Sequence, residues 1–517
     1  MLGYGKKTYQ KMMLNKDRNR ASVSKNNVIA RFVSLILTIV AGFILVPMYI
    51  KYLPNDIYGY WLASGYFLVL IVSFDPGLTI VVQQRVAFTY AKREFNELVR
   101  VINSALILSL FLVFIILSFG FLIKGYIPDW VGVNNAESRV YLEKNLLYAF
   151  FGTALSFFSF TISAINSGLL SSIGVNFISI IVNLISSLIS GLMLFNGFGL
   201  LSITIPMIFS GVFFVILQTT YLFFRLKHEK IKFSIDLSNS SYLIKSLSLT
   251  FIGRMSSIIS SNLDTIIVCK FVSPLTLVIY TISKKMFDYS KEVINQIIVA
   301  ISPSLTGLTA NKDKGINTII FVRISRILLL LLIMIAGGLL IFNQSFVTLW
   351  ISKSQFIGSK INNYIVLSFI VLVIYNSLQI IINSFGLFRE YSYANLIQGL
   401  LLIFFLFMGS KYMGISGAVL APIFSIICGP IIIYMLSLKK VLLINKSFIR
   451  DNYLDLIFLI FLVFIYYNLI GNKLYTNWIN LTTNVLLYVF LFITFSIIIS
   501  KKNKIEFLYI LKLFSGK

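Results

Sequence analysis

The chain has 517 residues, of which 58% are hydrophobic and 12% are charged, and its mean hydropathy is +0.90. Long apolar runs recur from about residue 28 to residue 500, which excludes an ordinary soluble domain, because a helix that crosses a bilayer needs about 20 apolar residues. The period-two alternation typical of a membrane barrel is absent from the sequence, so an all-α polytopic membrane protein is predicted.

Fourteen apolar spans are predicted. They cover residues 28–51, 56–83, 101–124, 145–167, 174–196, 198–224, 246–270, 275–304, 318–344, 361–385, 390–410, 414–438, 452–470 and 478–500. With the N-terminus inside, the cytoplasmic segments hold 31 Lys and Arg residues and the outer segments hold 9. The positive-inside rule therefore predicts that both termini are cytoplasmic. The net charge of +26 then faces anionic headgroups, and no nucleic acid partner is expected.

Neither a leader peptide nor a metal site is predicted. The basic N-terminal tail lacks an apolar core and a small-residue cleavage site, so no cleavage is expected. Cys269 and Cys428 are isolated packing residues, and His228 is a solvated residue of a basic loop. We therefore expect no metal and no cofactor.

The second span contains the run SFDPGL, residues 73–78. At about 1.5 Å per residue, Asp75 lies about 28 Å into this span and thus near its cytoplasmic end. Pro76 lacks an N–H, which predicts a kink, and Gly77 allows another helix to approach closely. The run is interpreted as a hinge or inner gate, and a simple helix break without function remains the alternative.

The sequence repeats itself at offsets of 215–219 residues. The paired segments, in chain order, are 46–64 with 265–283, 165–170 with 382–387, and 199–210 with 414–425. Two six-helix lobes of the same orientation are therefore predicted, an architecture of transporters. The expected division is a basic tail (1–27), an N-lobe (28–225), a linker (226–245), a C-lobe (246–438), two further helices (439–500) and a second basic tail (501–517).

Polar stripes occur on spans 1, 2, 7 and 8, which occupy matching positions in the two lobes. They comprise Arg31, Ser34, Thr38 and Gly42 on span 1, Trp61, Ser64 and Asp75 on span 2, Arg254, Ser257, Ser261 and Asp264 on span 7, and Tyr280, Lys284, Asp288, Lys291 or Glu292, and Asn295 on span 8. Charges inside a membrane are costly and usually face an interior or a watery cavity. A dry core in which Lys284 and Asp288 pair at four residues' separation is the alternative.

The charged residues predict a cavity that binds an anion. The candidate substrate-binding cations are Arg31, Arg254, Lys284, Lys285 and Lys291, and the candidate coupling or gating acids are Asp75, Asp264, Asp288 and Glu292. Arginine binds phosphate through two parallel hydrogen bonds, whereas lysine acts as a point charge. The acids are expected to bind H⁺ or Na⁺ as the coupling ion or to pair with the cations as gates, as Asp75 with Arg31 or Arg254.

The sequence resembles the Wzx-type polysaccharide-unit flippases of the multidrug/oligosaccharidyl-lipid/polysaccharide (MOP) exporter superfamily. The residues that carry the resemblance are Leu53-Pro54, Tyr58-Gly59, Asp75, Gly77, Leu78 and Arg85, together with Asp264 and Tyr280. It implies a V-shaped, MATE-like fold of about 14 transmembrane helices. It also implies a flippase that carries undecaprenyl-diphosphate-linked O-antigen or capsule units to the outer leaflet by alternating access, with a polymerase and a chain-length regulator as partners. The cations named above would contact the diphosphate, although span 8 carries three lysines and no arginine.

Other functions remain open at this point. A multidrug or cation antiporter of the same fold would favour an acidic, aromatic cavity, and a lipid II flippase shares the two additional C-terminal helices. An enzyme is not predicted, because the longest predicted outer loop has about twenty residues and no phosphate-cradling glycine-rich loop occurs. A scaffold protein would not need the charged stripes.

Overall fold

Every regular element in the described part of this computed structural model is helical. The structure describes residues 32–72, 78–231, 263–309, 313–443, 448–471 and 473–500, and residues 502, 503 and 505. The helices are α1 (Phe32–Tyr52), α2 (Asn55–Val72), α3 (Leu78–Lys92), α4 (Phe95–Ile123), α5 (Ile127–Val131), α6 (Ala136–Gly168), α7 (Ser172–Phe195), α8 (Leu201–His228), α9 (residues 263–271), α10 (Pro274–Thr309), α11 (Lys314–Trp350), α12 (Ser359–Ser384), α13 (Phe388–Met413), α14 (Ile415–Ile427), α15 (Pro430–Val441), α16 (Phe448–Ile470) and α17 (Trp478–Ile499).

Each of the fourteen predicted spans overlaps one or two of these helices. Eleven helical segments of the described ranges are long and apolar enough to cross a membrane, so the chain is a multi-pass membrane protein. The number fourteen stays a prediction. The second and seventh spans include residues outside the described ranges, and α10, the eighth span, carries five charged residues from Lys284 to Glu292.

Several helices extend beyond the apolar spans that the sequence predicts. Helix α4 begins at Phe95 and α6 at Ala136, before the predicted starts at residues 101 and 145. Their first turns are polar, and the side chain of Asn135 accepts a hydrogen bond from the N–H of Glu137 at 2.9 Å. Such a cap satisfies a backbone donor that the helix leaves open. Hydropathy therefore marks the lipid-facing part of each helix and misses its capped end.

The predicted span 414–438 is two helices, α14 and α15, which meet at Cys428 and Gly429. Pro430 begins α15 and has no N–H to continue the ladder of α14. Gly429 also lies close to α13, because an added Cβ would come within 2.6 Å of Ile397 Cγ2. The break therefore combines a missing donor with a close helix contact.

The chain divides into two compact units, Met1–Ile258 and Ile259–Lys517. In unit 1, α6 packs against α2, α3, α4 and α8. Leu78, Val82 and Ile102 are fully buried in its core, and Gly168 allows α6 to approach α3, because an added Cβ would lie 2.7 Å from Val86 Cβ. Helix α6 therefore holds this unit together.

In unit 2, α12 packs against α10, α11 and α14, while α16 and α17 pack against α11. The core between α11 and the last two helices contains Phe342, Leu459 and Tyr488. Tyr488 also donates a hydrogen bond to the carbonyl of Met334 at 3.0 Å. The fourth span of each predicted repeat thus packs against the second and sixth spans of the same repeat. In unit 1, α6 packs against α2, α3 and α8, and in unit 2, α12 packs against α10 and α14.

Candidate functional site

A buried ion pair joins α9 to α10 in unit 2. Asp264, in α9, is only 7% exposed. Its Oδ2 accepts hydrogen bonds from Lys284 Nζ at 2.8 Å and from Tyr280 Oη at 2.9 Å. Because Tyr280 and Lys284 are four residues apart on α10, their side chains lie on one face of the helix and reach the same carboxylate oxygen.

The second oxygen of the Asp264 carboxylate, Oδ1, lacks a hydrogen-bond partner among the described residues. This oxygen is buried. Buried polar atoms are almost always hydrogen-bonded, so an unsatisfied carboxylate oxygen indicates a place for a proton, a cation or a water molecule. Asp264 therefore has one oxygen held by Lys284 and Tyr280 and one without a partner in the described part of the chain.

The charged face of α10 continues beyond this pair. Lys285 Nζ lies 5.4 Å from the ring centre of Tyr289, and Lys291 Nζ lies 3.6 Å from Asp288 Oδ1. The side chains of Asp288 and Lys291 are 39% and 29% exposed. Within the described ranges, no carboxylate oxygen lies within 4.0 Å of Lys285 Nζ. Lys285 is thus a half-buried ammonium without a carboxylate partner in the described ranges.

The charges of the cluster formed by Asp264 and the charged face of α10 balance in its described part. The six residues are Lys284, Lys285 and Lys291, and Asp264, Asp288 and Glu292. The Glu292 carboxylate accepts a hydrogen bond from Gln296 Nε2 at 2.7 Å. A net cationic site therefore depends on the two predicted arginines that lie outside the described ranges. Among the residues that the structure describes, no group of three or more His, Cys, Asp or Glu side chains could hold a metal ion.

The neighbouring face of α10 is anchored in the unit. The Ser283 carbonyl accepts from Asn343 Nδ2 at 2.9 Å, and Ser283 Oγ accepts from the N–H of Ile357 at 3.0 Å. Phe287 meets the Phe369 ring edge to face, with 5.7 Å between ring centres. One side of α10 is thus fixed to α11 and α12, and its charged side remains partly accessible.

The structure brings together only part of the predicted site. Lys284 pairs with Asp264 rather than with Asp288, the partner considered in the dry-core interpretation. The predicted residues Arg31, Asp75, Pro76, Gly77 and Arg254 lie outside the described residues. The hinge at SFDPGL and the pairing of Asp75 with an arginine therefore stay predictions.

A second buried ion pair was not recognised from the sequence. Arg326, in α11, is 1% exposed and contacts both carboxylate oxygens of Asp455, in α16, at 2.9 and 2.6 Å. It also donates to the Asn452 carbonyl and to the Asn503 side-chain oxygen. The sequence prediction assigns Arg326 to the basic cytoplasmic segment 312–326 at the start of span 9. Opposite charges at the same end of spans 9 and 13 were the signal that could have revealed the pair.

The chain is similar to known proteins in sequence over residues 133–357 and in structure over most of its length. A family model described as polysaccharide biosynthesis protein matches residues 133–357. The structure is similar to the lipid II flippase MurJ in an inward closed conformation, with TM-score 0.65, 16% identity, and coverage of 90% of this chain and 97% of that one.

Two transporters of the MATE family are also similar in structure. An inward-facing multidrug resistance MATE transporter of the MOP superfamily has TM-score 0.61, 12% identity, and coverage of 80% of this chain and 98% of that one. The Vibrio cholerae MATE transporter VcmN in its bent form has TM-score 0.56, 13% identity, and coverage of 81% and 98%. No curated protein matches the sequence.

The chain therefore shares the fold of the lipid II flippase and of the MATE transporters, and the match of residues 133–357 to polysaccharide biosynthesis proteins agrees with the predicted resemblance. The structural neighbours named above are transporters and flippases.

Proposed function

We propose that this chain, which has the fold of the MOP superfamily, is a flippase of the bacterial inner membrane. It moves an undecaprenyl-diphosphate-linked oligosaccharide unit from the cytoplasmic to the outer leaflet by alternating access. The observation that carries the proposal is the charged face of α10. There Lys285 is half-buried without a carboxylate partner in the described ranges, beside a lysine that Asp264 already holds.

The chemistry of this face suits a diphosphate. A lysine ammonium is a compact point charge that tolerates several phosphate orientations, and its attraction to an anion grows where water is partly excluded. Arg31 and Arg254 are the candidates for contacts through two parallel hydrogen bonds. Asp264 is the candidate coupling acid. Its Oδ1 has no partner in the described ranges and could bind H⁺ or Na⁺, whether or not the ion pair between Oδ2 and Lys284 breaks.

Two comparisons support a lipid-linked substrate. The family model of polysaccharide biosynthesis proteins spans residues from both compact units. The structural match to the lipid II flippase covers 90% of this chain, whereas the matches to the MATE transporters cover 80–81%. A sugar unit attached to a lipid diphosphate therefore fits the chain better than a soluble drug. Lipid II itself remains a candidate substrate.

A cation or multidrug antiporter is the second candidate. The equal number of acids and bases in the cluster formed by Asp264 and the charged face of α10 favours it, because a balanced site has less preference for an anion. Such a transporter would bind its cation at Asp264 and would export cationic dyes. A flippase would leave those dyes in place.

Proteoliposomes with the full chain and a fluorescent undecaprenyl-diphosphate oligosaccharide test the proposal. Lys285→Gln removes the available ammonium, and the loss of one charge-assisted contact, worth about 1.5–3 kcal/mol, lowers the flipping rate about 10-fold or more. Lys285→Arg retains the charge and much of the rate. Lys353→Gln, which alters an exposed lysine of the same unit, is the matched control.

Two results would overturn the proposal. One is flipping at the wild-type rate in the Lys285→Gln variant. The other is export of a cationic dye without any movement of the lipid-linked sugar, which would establish the antiporter instead. Parallel assays with lipid II and with the oligosaccharide lipid separate the two flippase substrates.

A further inference from the structure

A pocket of about 240 Å³ lies between α1 and α7 in unit 1. The two helices contact each other nearer to their predicted outer ends. There Tyr49 Oη lies 2.8 Å from Ser190 Oγ, and a Cβ added to Gly191 would lie 3.7 Å from Met48 Cε. The residues that line the pocket precede these contacts on α1 and on α7, so the predicted topology places the pocket on their cytoplasmic side.

The lining of this pocket is polar but uncharged. Five of its nine residues are polar and none is ionisable. The polar residues are Ser34 and Thr38 on α1 and Asn183, Ser186 and Ser187 on α7. Residues four positions apart lie on one face of a helix, so each helix presents a polar pair to the same space. The polar stripe that the sequence predicts for span 1 thus has a neutral counterpart on α7.

These polar groups do not join the two helices. Thr38 Oγ1 donates to the Ser34 carbonyl at 2.9 Å, and Ser187 Oγ donates to the Asn183 carbonyl at 2.8 Å, each within its own helix. Among the described residues, no hydrogen bond crosses the pocket from α1 to α7, and the Asn183 amide and Ser34 Oγ have no partner. Polar side chains that hold membrane helices together bond across the interface. Helix packing therefore does not account for this lining.

The depth of Asn183 also indicates a polar occupant. This residue lies eleven positions after the start of the 24-residue helix α7, which is about 17 Å along it and near its middle. Its side chain is exposed. An amide in hydrocarbon would lose the hydrogen bonds that it makes in water, which is costly. The Asn183 side chain therefore faces a watery space or a polar ligand rather than lipid tails.

A neutral sugar ring matches this combination of groups. The hydroxyls of a sugar both donate and accept hydrogen bonds, and the Asn183 amide can do the same. The serine and threonine oxygens whose hydrogens are already used still accept. Leu37, Ile180 and Leu184 provide apolar surface for the C–H faces of the ring. At about 240 Å³ the pocket is smaller than the roughly 300–1,000 Å³ of sites for drug-sized ligands, so it suits a single ring.

We propose that the pocket between α1 and α7 binds one uncharged sugar ring of the unit that the protein carries. This inference rests on the proposed flippase function and adds to it a site for the sugar, separate from the lysines of α10. The class of ligand is a neutral hexose or N-acetylhexosamine. An acidic sugar is disfavoured, because its carboxylate would lose water and meet no cation in the described lining.

Binding of fluorescent lipid diphosphates to the full-length protein in detergent tests the proposal. The probes are undecaprenyl diphosphate alone and the same lipid linked to N-acetylglucosamine or to galactose. At least one of these sugars is expected to raise the affinity of the wild type about 10-fold over the bare lipid. That is about 1.4 kcal/mol, the contribution of about one or two neutral hydrogen bonds.

Two variants and a matched control locate the preference for the sugar. Asn183→Leu removes the amide at nearly constant volume and is expected to bind all three probes equally. Ser187→Ala, a smaller change, is expected to lose about threefold of the preference. Asn196→Leu makes the same change as the first variant at the C-terminal cap of α7, outside the pocket lining, and keeps the full preference. Thermal unfolding confirms that each protein is folded.

Three results would overturn this proposal. Equal affinity of the wild type for the bare lipid and for both sugar-linked probes would show that the sugar is not recognised. A full preference in both pocket variants would place the recognition elsewhere. Stabilisation of the wild type by sodium chloride but not by choline chloride, lost in Asn183→Leu without loss of the sugar preference, would assign the pocket to a cation.

Flipping assays in proteoliposomes separate this proposal from the one on which it rests. A wild type that flips a sugar-linked probe but shows no preference for the sugar refutes the pocket and leaves the flippase standing. A wild type that flips none of the probes refutes the flippase and this inference with it.

Discussion

The replacement Lys284→Met tests whether the ion pair between α9 and α10 stabilises the fold or serves the transport cycle. In the wild type, the Lys284 ammonium and the Tyr280 hydroxyl share Asp264 Oδ2, and the carboxylate is 7% exposed. Methionine keeps most of the length of the side chain and removes only the charge. Asp264 is then left as a buried carboxylate with one neutral donor.

Loss of one partner of a buried ion pair costs about 3–5 kcal/mol, because the remaining charge is uncompensated. For domains of a few hundred residues each kcal/mol moves the unfolding midpoint by about 2–4 °C, so a decrease of about 6–20 °C is expected for Lys284→Met. The double variant Lys284→Met/Asp264→Asn removes both charges and recovers most of that decrease. Thermal unfolding of the full chain in detergent, followed by intrinsic fluorescence, measures all three proteins.

The flipping assay on the same proteins completes the test. The double variant is expected to be nearly as stable as the wild type and yet to lose the dependence of flipping on a proton or sodium gradient. A single variant that is as stable as the double variant would refute the reasoning, since Asp264 would then not be charged and desolvated. A double variant that keeps the gradient dependence would exclude Asp264 as the coupling acid.

Three further changes test other contacts. Arg326→Met is expected to lower stability by about 3–5 kcal/mol, and the additional change Asp455→Leu to restore most of it, as measured by thermal unfolding. Arg139→Ala removes the bonds to both oxygens of Asp129 at 2.7 and 2.9 Å, so amide hydrogen exchange in α5 should increase several-fold without a global change. Gly417→Val places a side chain against the backbone of Gly409 and is expected to cost about 1–3 kcal/mol in unfolding measurements, whereas no loss would contradict the close packing of α13 and α14.

The positions of the helices could be predicted because lipid selects for uninterrupted apolar runs. Each predicted span overlaps one or two helices of the described ranges. The sequence CGP at 428–430 indicates the break between α14 and α15. The capped ends could not be predicted by hydropathy. They lie where polar residues such as Asn135 and Asp313 replace apolar ones, and local hydrogen bonds rather than burial decide where the helix starts.

The sequence predicted which helices carry the candidate site, but it did not predict which of their charged residues form an ion pair. Helical spacing placed Tyr280 and Lys284 on one face, yet it favoured Asp288 as a partner because that residue is only four positions away. The observed partner, Asp264, is on another helix, and its choice depends on how α9 packs against α10. The Arg326–Asp455 pair is a similar case, because its two residues are 129 positions apart. Contacts of this kind are fixed by tertiary packing, about which periodicity carries no information.

That separation of 129 positions has a consequence for how the protein is made. At about 5–20 residues per second, α16 follows Arg326 out of the ribosome after about 6–26 seconds. During that interval α11 has no carboxylate for its guanidinium, so Arg326 should remain at the wet edge of the bilayer, where a charged side chain is least costly. Helix α11 can then reach its final packed position only after α16 and α17 have been synthesised and inserted. A nascent chain that stops before Asp455 should therefore be recognised by membrane proteases as incomplete, even though both predicted repeats have already been synthesised.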